Sequence, residues 1–137
     1  MPYLYALMGH FNRQDSFNFL SKLSFRRAWN GIKVLSSFYI SKWTHRPVQW
    51  GYPISISFEP TTSCNLRCPE CVSGQRSFTR ETGMLDENLF KKTVDEMHQH
   101  LLYLYFYFQG EPYLHPQFLD LVKYASSKKI YTVTSTN

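Results

Sequence analysis

The sequence predicts an α/β protein in which a parallel sheet carries helices on its outside, preceded by a mainly helical N-terminal segment. Three observations predict it. Beyond residue 51, strand-like runs alternate with helical stripes in the order strand, loop, helix, strand, helix, strand. The first fifty residues hold a helical apolar period and no strand pattern. A hydrophobic content of 43% and a charged content of 18% over 137 residues describe a globular chain with enough apolar mass for a core.

Residues 1–18 are polar and aromatic with no regular period. Over residues 19–42, Phe25, Ala28, Trp29, Ile32, Leu35 and Tyr39 recur at three- and four-residue spacing, which predicts a helix whose apolar stripe packs inward. Lys22, Arg26 and Lys33 fall mostly off that stripe, and Gly31 marks a point where the segment could divide into two helices. Pro47, Gly51 and Pro53 read as a linker. A boundary at residue 50 therefore separates a basic, aromatic extension (1–50) from an α/β portion (51–137).

In the α/β portion, residues 54–59 (Ile-Ser-Ile-Ser-Phe-Glu) alternate strictly, as a half-buried strand does, and Pro60 stops them. Leu89, Phe90, Val94, Met97 and Leu101 form a helical stripe with Asp86 as its N-cap. Residues 101–108 are continuously apolar and aromatic, as suits a strand buried on both faces. Pro116 is placed for the first turn of a helix with the stripe Phe118, Leu121, Val122 and Ala125, and Lys128 and Lys129 suit its C-terminal end. Residues 130–134, rich in β-branched side chains, are the third strand. Strand alternation puts Tyr103, Tyr105, Tyr107, Gln109 and Glu111 on one face, with Ser55, Ser57 and Glu59 on the matching face of the first strand.

Charge is uneven. Residues 1–50 carry seven Lys/Arg against one acid, a net of +6, whereas residues 51–137 carry eight against nine, a net of −1. The common meaning of such a basic segment is a solvated helix face. Residues 19–42 also have the makings of a helix that meets an anionic membrane surface, and no nucleic-acid partner is expected. No apolar run reaches the roughly 18 residues of a membrane span, and the N-terminus lacks the pattern of a signal peptide, so a cytoplasmic protein is expected.

The three cysteines, Cys64, Cys68 and Cys71, all fall in the loop that follows the first strand. A disulfide framework needs pairs spread along the chain, so close clustering points to a metal site. Three thiolates can hold three corners of a [4Fe–4S] cube and leave one iron for an outside ligand. The rival is a zinc site, which needs a fourth ligand from His98, His100, His115 or a carboxylate. Free structural cysteines are the remaining alternative.

The stretch Cys64-Asn65-Leu66-Arg67-Cys68-Pro69-Glu70-Cys71 resembles the cysteine loop of the radical S-adenosylmethionine (SAM) superfamily, in its molybdenum-cofactor-type and SPASM-type branches. Gln109-Gly110-Glu111-Pro112 resembles the Gly-Gly-Glu-Pro segment of the same family, and residues 134–137 are similar to its Thr-Asn-Gly strand ending. The resemblance implies a parallel (β/α) partial barrel of radical SAM type, of which only the first three strands are present. It implies a [4Fe–4S] cluster on Cys64, Cys68 and Cys71, with SAM chelated to the open iron and cleaved to methionine and a 5′-deoxyadenosyl radical that takes hydrogen from a substrate. It assigns Glu70, Gly110, Glu111, Pro112, Ser135 and Asn137 to the SAM site, with Glu111 near the SAM amino group. Ser57, Glu59 and Tyr107 are substrate-side candidates. A low-potential donor of flavodoxin or ferredoxin type is the implied electron partner, and the substrate is unknown. The sequence departs from the family at Glu70, where an aromatic residue is usual, and at Gln109, which replaces a glycine. Because the chain stops at the end of the third strand, a truncated or partial coding sequence is expected, and an inactive remnant or a zinc module is the alternative function.

Overall fold

The computed structural model describes residues 13–137. Its elements are α1 (Arg13–Ser21), α2 (Phe25–Thr44), β1 (Ser55–Ser57), the one-turn helix α3 (Val72–Gln75), α4 (Glu87–Met97), β2 (Tyr103–Phe106), a 3-10 turn (Pro112–Leu114), α5 (Phe118–Ser127) and β3 (Tyr131–Thr134). The three strands form one parallel sheet in the order β1-β2-β3. Ile56 pairs with Leu104, and Leu104 with Thr132. Consecutive parallel neighbours joined through α4 and α5 are the expected βαβ arrangement.

The strands are shorter than their sequence patterns. The apolar run 101–108 contributes only Tyr103–Phe106 to the ladder, and the alternating run 54–59 only Ser55–Ser57. Leu101 nonetheless sits in the core with no exposed surface. An apolar run records burial, whereas a strand needs a partner for each N–H and C=O, and the ladder is only as long as its shorter partner.

Alternation is obeyed on both faces of β2. Leu104 and Phe106 point into a core built with Phe90 and Val94 of α4, Phe118, Leu121 and Ala125 of α5, and Leu101 and Ile130. The tyrosines line the other face, where Tyr103 and Tyr105 stack with centroids 5.8 Å apart and Tyr105 meets Tyr107 edge-on at 5.5 Å. Asp86 caps α4 as expected, accepting a 2.7 Å bond from the Leu89 N–H, but Leu89 itself lies outside the buried stripe. Pro116 precedes the N-cap Gln117 of α5 instead of entering its first turn, and Pro112 takes such a position in the 3-10 turn. Lys128 bonds Asp95 of α4 at 2.5 Å.

The N-terminal helices depart most from expectation. Residues 13–18, read as irregular, belong to α1, while residues 1–12 of that reading lie outside the described residues. The break falls at residues 22–24, where Ser24 caps α2, and not at Gly31, which the helix passes through. Phe19 of α1 stacks on Tyr103 at 5.1 Å and meets Tyr131 edge-on at 5.6 Å, so α1 covers part of the tyrosine face. The Tyr131 hydroxyl donates to Asp15 at 2.6 Å, and that bond together with burial pushes the phenol up to about 12.

Helix α2 packs the opposite way from its apolar stripe. Its buried residues are Arg27, Asn30 and Ser37, whereas Phe25, Trp29, Ile32, Leu35 and Tyr39 are exposed. The reason is chemical. The Arg27 guanidinium, 4% exposed, donates to the carbonyls of Lys22 (2.6 Å), His98 (2.7 and 3.1 Å), Lys128 (2.9 Å) and Lys129. Those oxygens include the unpaired carbonyl ends of α4 and α5, which a cation satisfies well. Desolvation lowers the Arg27 pKa from its ordinary value, although a guanidinium remains charged at any pH the fold survives. Asn30 adds a paired contact to Tyr52, accepting from its N–H at 2.9 Å and donating to its carbonyl at 3.0 Å. The basic segment is therefore not simply a solvated face.

Candidate active site at the strand ends

The loop after β1 is closed at its base before it reaches the cysteines. Thr61 and Met84 form an antiparallel bridge, the Thr62 N–H donates to the Gly83 carbonyl at 3.1 Å, and the Leu85 N–H donates to the Pro60 carbonyl at 2.9 Å. Inside this clasp the Cys71 N–H donates to the Cys68 carbonyl at 3.2 Å. A Cβ on Gly74 would lie 2.6 Å from the Cys68 nitrogen and 2.7 Å from its oxygen, so the loop folds directly onto the backbone of α3. All three cysteines are free, with Cys64 and Cys71 half-buried and Cys68 exposed. Cys71 precedes α3, and the N–H groups of Gly74 and Ser73 lower its pKa from the ordinary thiol value against a smaller opposing effect of burial. A thiolate is thereby favoured at one of the three positions.

The end of β2 locks into this loop at three points. The Glu111 N–H donates to the Ser63 carbonyl at 2.8 Å, and the Gly110 N–H donates to the Ser73 hydroxyl at 2.9 Å. The same hydroxyl donates to Gln109 Oε1 at 2.8 Å. Gly110 has φ +75°, and a Cβ there would lie 1.9 Å from the Thr61 carbonyl oxygen. Only glycine meets both demands. Replacing Ser73 with alanine removes both of its bonds across the junction; the expected cost is about 1–2 kcal/mol, read as a lower denaturant midpoint.

The end of β3 closes the site from the other side. Glu111, 5% exposed, accepts from the Thr136 hydroxyl at 2.7 Å, the Tyr113 N–H at 3.2 Å and the Asn137 N–H at 3.0 Å. The Asn137 amide donates to Asn65 Oδ1 at 2.8 Å and reaches Cys64 Sγ at 3.8 Å. Burial pushes the Glu111 carboxyl up, but the bonds from Asn137, Thr136 and Tyr113 outweigh it and hold the pKa below the usual glutamate value. A depressed folded pKa stabilises the fold above the unfolded pKa of about 4.3, and that contribution is lost as pH falls through the folded pKa. Glu111→Gln should accordingly flatten the acid limb of a stability–pH curve, and an unchanged limb would contradict this assignment.

These contacts bring together half of the residues the sequence singled out, with Cys68 and Cys71 elsewhere on the cysteine loop. Cys64, Tyr107, Gly110, Glu111, Ser135 and Asn137 line one open groove of about 290 Å³, with Leu66, Phe108 and Thr136. Other expected residues lie outside its lining. Glu70 is exposed in the loop, and Pro112 is buried at the start of the 3-10 turn. Ser57 donates to the Tyr107 carbonyl at 3.0 Å, and Glu59 pairs with Arg80. Ser73 and Gly74, which hold the loop together, were not singled out by the sequence. The only signal was a small pair following the last cysteine.

Among the described residues, no three His, Cys, Asp or Glu side chains are gathered as a single metal ion requires. A cubane spreads its thiolates over separate irons, so the donor set it would need here is the three free thiols on one clasped loop. The histidines proposed for zinc are not gathered with the cysteines. The His115 ring contacts the Leu85 carbonyl at 3.1 Å through Nε2 and accepts from the Gln117 N–H at 3.2 Å through Nδ1. His98 and His100 follow α4 at the opposite end of the sheet, where His100 stacks on Tyr52.

Part of the chain is similar to known proteins. A stretch of 85 residues, 62% of the chain, is 34% identical to mycofactocin maturase MftC of Mycobacterium tuberculosis and covers 21% of that protein. Another of 84 residues is 36% identical to the tungsten-containing aldehyde ferredoxin oxidoreductase cofactor-modifying protein of Pyrococcus furiosus, over 23% of its length. Over this segment the chain is similar to these two radical SAM proteins. Its three-stranded open parallel sheet is also similar in fold to part of BtrN, whose crystal structure is in complex with AdoMet and 2-DOIA. That match has a TM-score of 0.55 and 24% identity, and it covers 63% of this chain and 36% of BtrN. The chain spans about a fifth of the length of the curated radical SAM relatives it matches. No family model matches it. No described helix is long and apolar enough to cross a membrane.

Proposed function

We propose that residues 51–137 are the cluster- and SAM-binding portion of a radical SAM enzyme core, with residues 1–50 as an extension to it. The observation that carries this reading is the convergence of three strand-end loops on one groove, through Cys64 after β1, Gly110 and Glu111 after β2, and Asn137 after β3. In open parallel sheets, ligands bind at the carboxyl ends of the strands.

Cys64, Cys68 and Cys71 would hold a [4Fe–4S] cluster, which when bound supplies an electron and an open iron corner for the reductive cleavage of SAM. The chain's own residues do the rest. Glu111 is kept ionised by its three donors. Its two oxygens offer about four acceptor positions, so one remains for the ammonium of the SAM methionine moiety. Gly110 lets the backbone approach the ligand without a side chain in the way. Ser135 and Asn137 close the groove opposite Cys64, while Tyr107 and the exposed Phe108 form its rim on the substrate side. Glu70, Pro112, Ser57 and Glu59 lie outside that lining, and we assign them to loop shape and second-sphere support. A low-potential flavodoxin or ferredoxin is the fitting reductant, and a cytoplasmic setting keeps the thiols reduced.

The test is SAM turnover by the reconstituted natural protein that carries this chain, with dithionite as reductant. The reading predicts 5′-deoxyadenosine and methionine. It predicts a tenfold or greater rise in the Kd for SAM in Glu111→Gln, about the loss of one charge-assisted bond, with iron content unchanged. SAM binding that is indifferent to Glu111 would remove that residue from the site, and iron loading without any cleavage would refute the reaction.

A further inference from the structure

Helix α2 turns its polar side to the protein and its aromatic side to the outside. Viewed down the axis, Arg27, Asn30, Val34, Ser37 and Ser41 form the inward line, fixed by the Arg27 and Asn30 bonds described above and by the Ser41 hydroxyl, which donates to the Val48 carbonyl at 3.0 Å. The opposite line is Phe25, Trp29, Ile32, Tyr39 and Trp43, with Phe25 and Trp43 83% and 84% exposed. This line runs nearly the full twenty residues of the helix. Patches of this kind on a protein surface mark a contact site.

The charge around the patch distinguishes between partners. Helix α2 contains Arg26, Arg27, Lys33 and Lys42 and no acidic residue. Arg26 and Lys33 flank the aromatic line on one side and Lys42 on the other, while His45 and Arg46 follow the C-terminus. A second copy of the helix laid along this seam would bring cations against cations without a counter-charge. An anionic lipid surface supplies that counter-charge on both flanks. It also suits tryptophan and tyrosine, whose rings settle at the headgroup level.

We infer that α2 is an in-plane membrane anchor: its Phe25–Trp43 face docks on an anionic phospholipid bilayer while Arg27 and Asn30 fasten it to the sheet. This is independent of the cluster and SAM reading, since it uses none of the groove residues. Its consequence is positional. The anchor sits against the ends of α4 and α5 from which the strands start, whereas the groove lies at the ends where they finish. The groove would then face away from the lipid.

All three tryptophans of the chain, Trp29, Trp43 and Trp50, fall in this region, so intrinsic fluorescence reports on it. The natural protein carrying this chain is mixed with vesicles of phosphatidylcholine alone and of phosphatidylcholine with phosphatidylglycerol. The expected result is at least about tenfold stronger partition onto the anionic vesicles, with a blue shift of tryptophan emission. The double variant Ile32→Glu, Trp43→Glu should lose about tenfold of that partition. Both side chains point away from the protein, so its circular dichroism should remain that of the parent. Absence of binding to anionic vesicles would overturn the proposal. So would emission already blue-shifted without lipid, which would mean that the protein's own chain or, if light scattering gives a dimer mass, a second copy covers the face.

Discussion

Gly110→Ala is expected to destabilise the protein by about 3–5 kcal/mol and to abolish ligand binding in the groove. The left-handed φ of +75° alone would cost an alanine about 1–2 kcal/mol. The larger effect is the contact with backbone. A Cβ 1.9 Å from the Thr61 carbonyl oxygen, and 2.9 Å from that of Ser63, cannot be relieved by rotating a side chain. The end of β2 must back away from the cysteine loop, which breaks the Gly110–Ser73 and Glu111–Ser63 bonds together. Gly31→Ala is the matching control. It lies inside α2 with open space around it and should stabilise by about 0.5–1 kcal/mol. Chemical denaturation of the two variants should move the midpoint in opposite directions, and a Gly110→Ala protein as stable as the parent would contradict the close approach of the two loops.

Arg27→Met should cost about 3–5 kcal/mol. Methionine fills much of the same volume but leaves the carbonyls of Lys22, His98, Lys128 and Lys129 without the donor that the buried guanidinium supplies. Arg27→Lys keeps the charge but not the planar fork that reaches several carbonyls at once, so it should recover only part of the loss. The two changes should also detach α2, exposing the Asn30–Tyr52 contact to hydrogen exchange. A loss below about 1 kcal/mol, the scale of an ordinary exposed contact, would show that the guanidinium does not clamp the helix ends.

Much of the site was legible because it depends on short-range spacing. Alternation alone put Tyr103, Tyr105 and Tyr107 on the face away from Leu104 and Phe106, and the structure keeps that division, although the strand ends at Phe106, before Gln109 and Glu111. The cysteine loop and the Gly-Glu pair are local motifs whose place at strand ends follows from element order. The orientation of α2 was not legible. A helical period reveals an apolar line but not what covers it, and here the inward side is chosen by Arg27 bonding carbonyls 71, 101 and 102 residues away. Strand lengths were overread for a similar reason, since Leu101 is buried without a ladder partner. Gly74 and Ser73 escaped notice because close backbone approach is a tertiary fact with only a faint local trace.

The central claim is that one clasped loop presents three sulfurs to an iron–sulfur cube. Iron and sulfide analysis after anaerobic reconstitution tests it most directly, comparing the parent with the variant in which Cys64, Cys68 and Cys71 are all serine. The account predicts about four irons and four sulfides per chain for this loop in the parent, and their loss in the variant. Equal iron content in the two proteins, or stoichiometric zinc with no iron uptake in the parent, would contradict it.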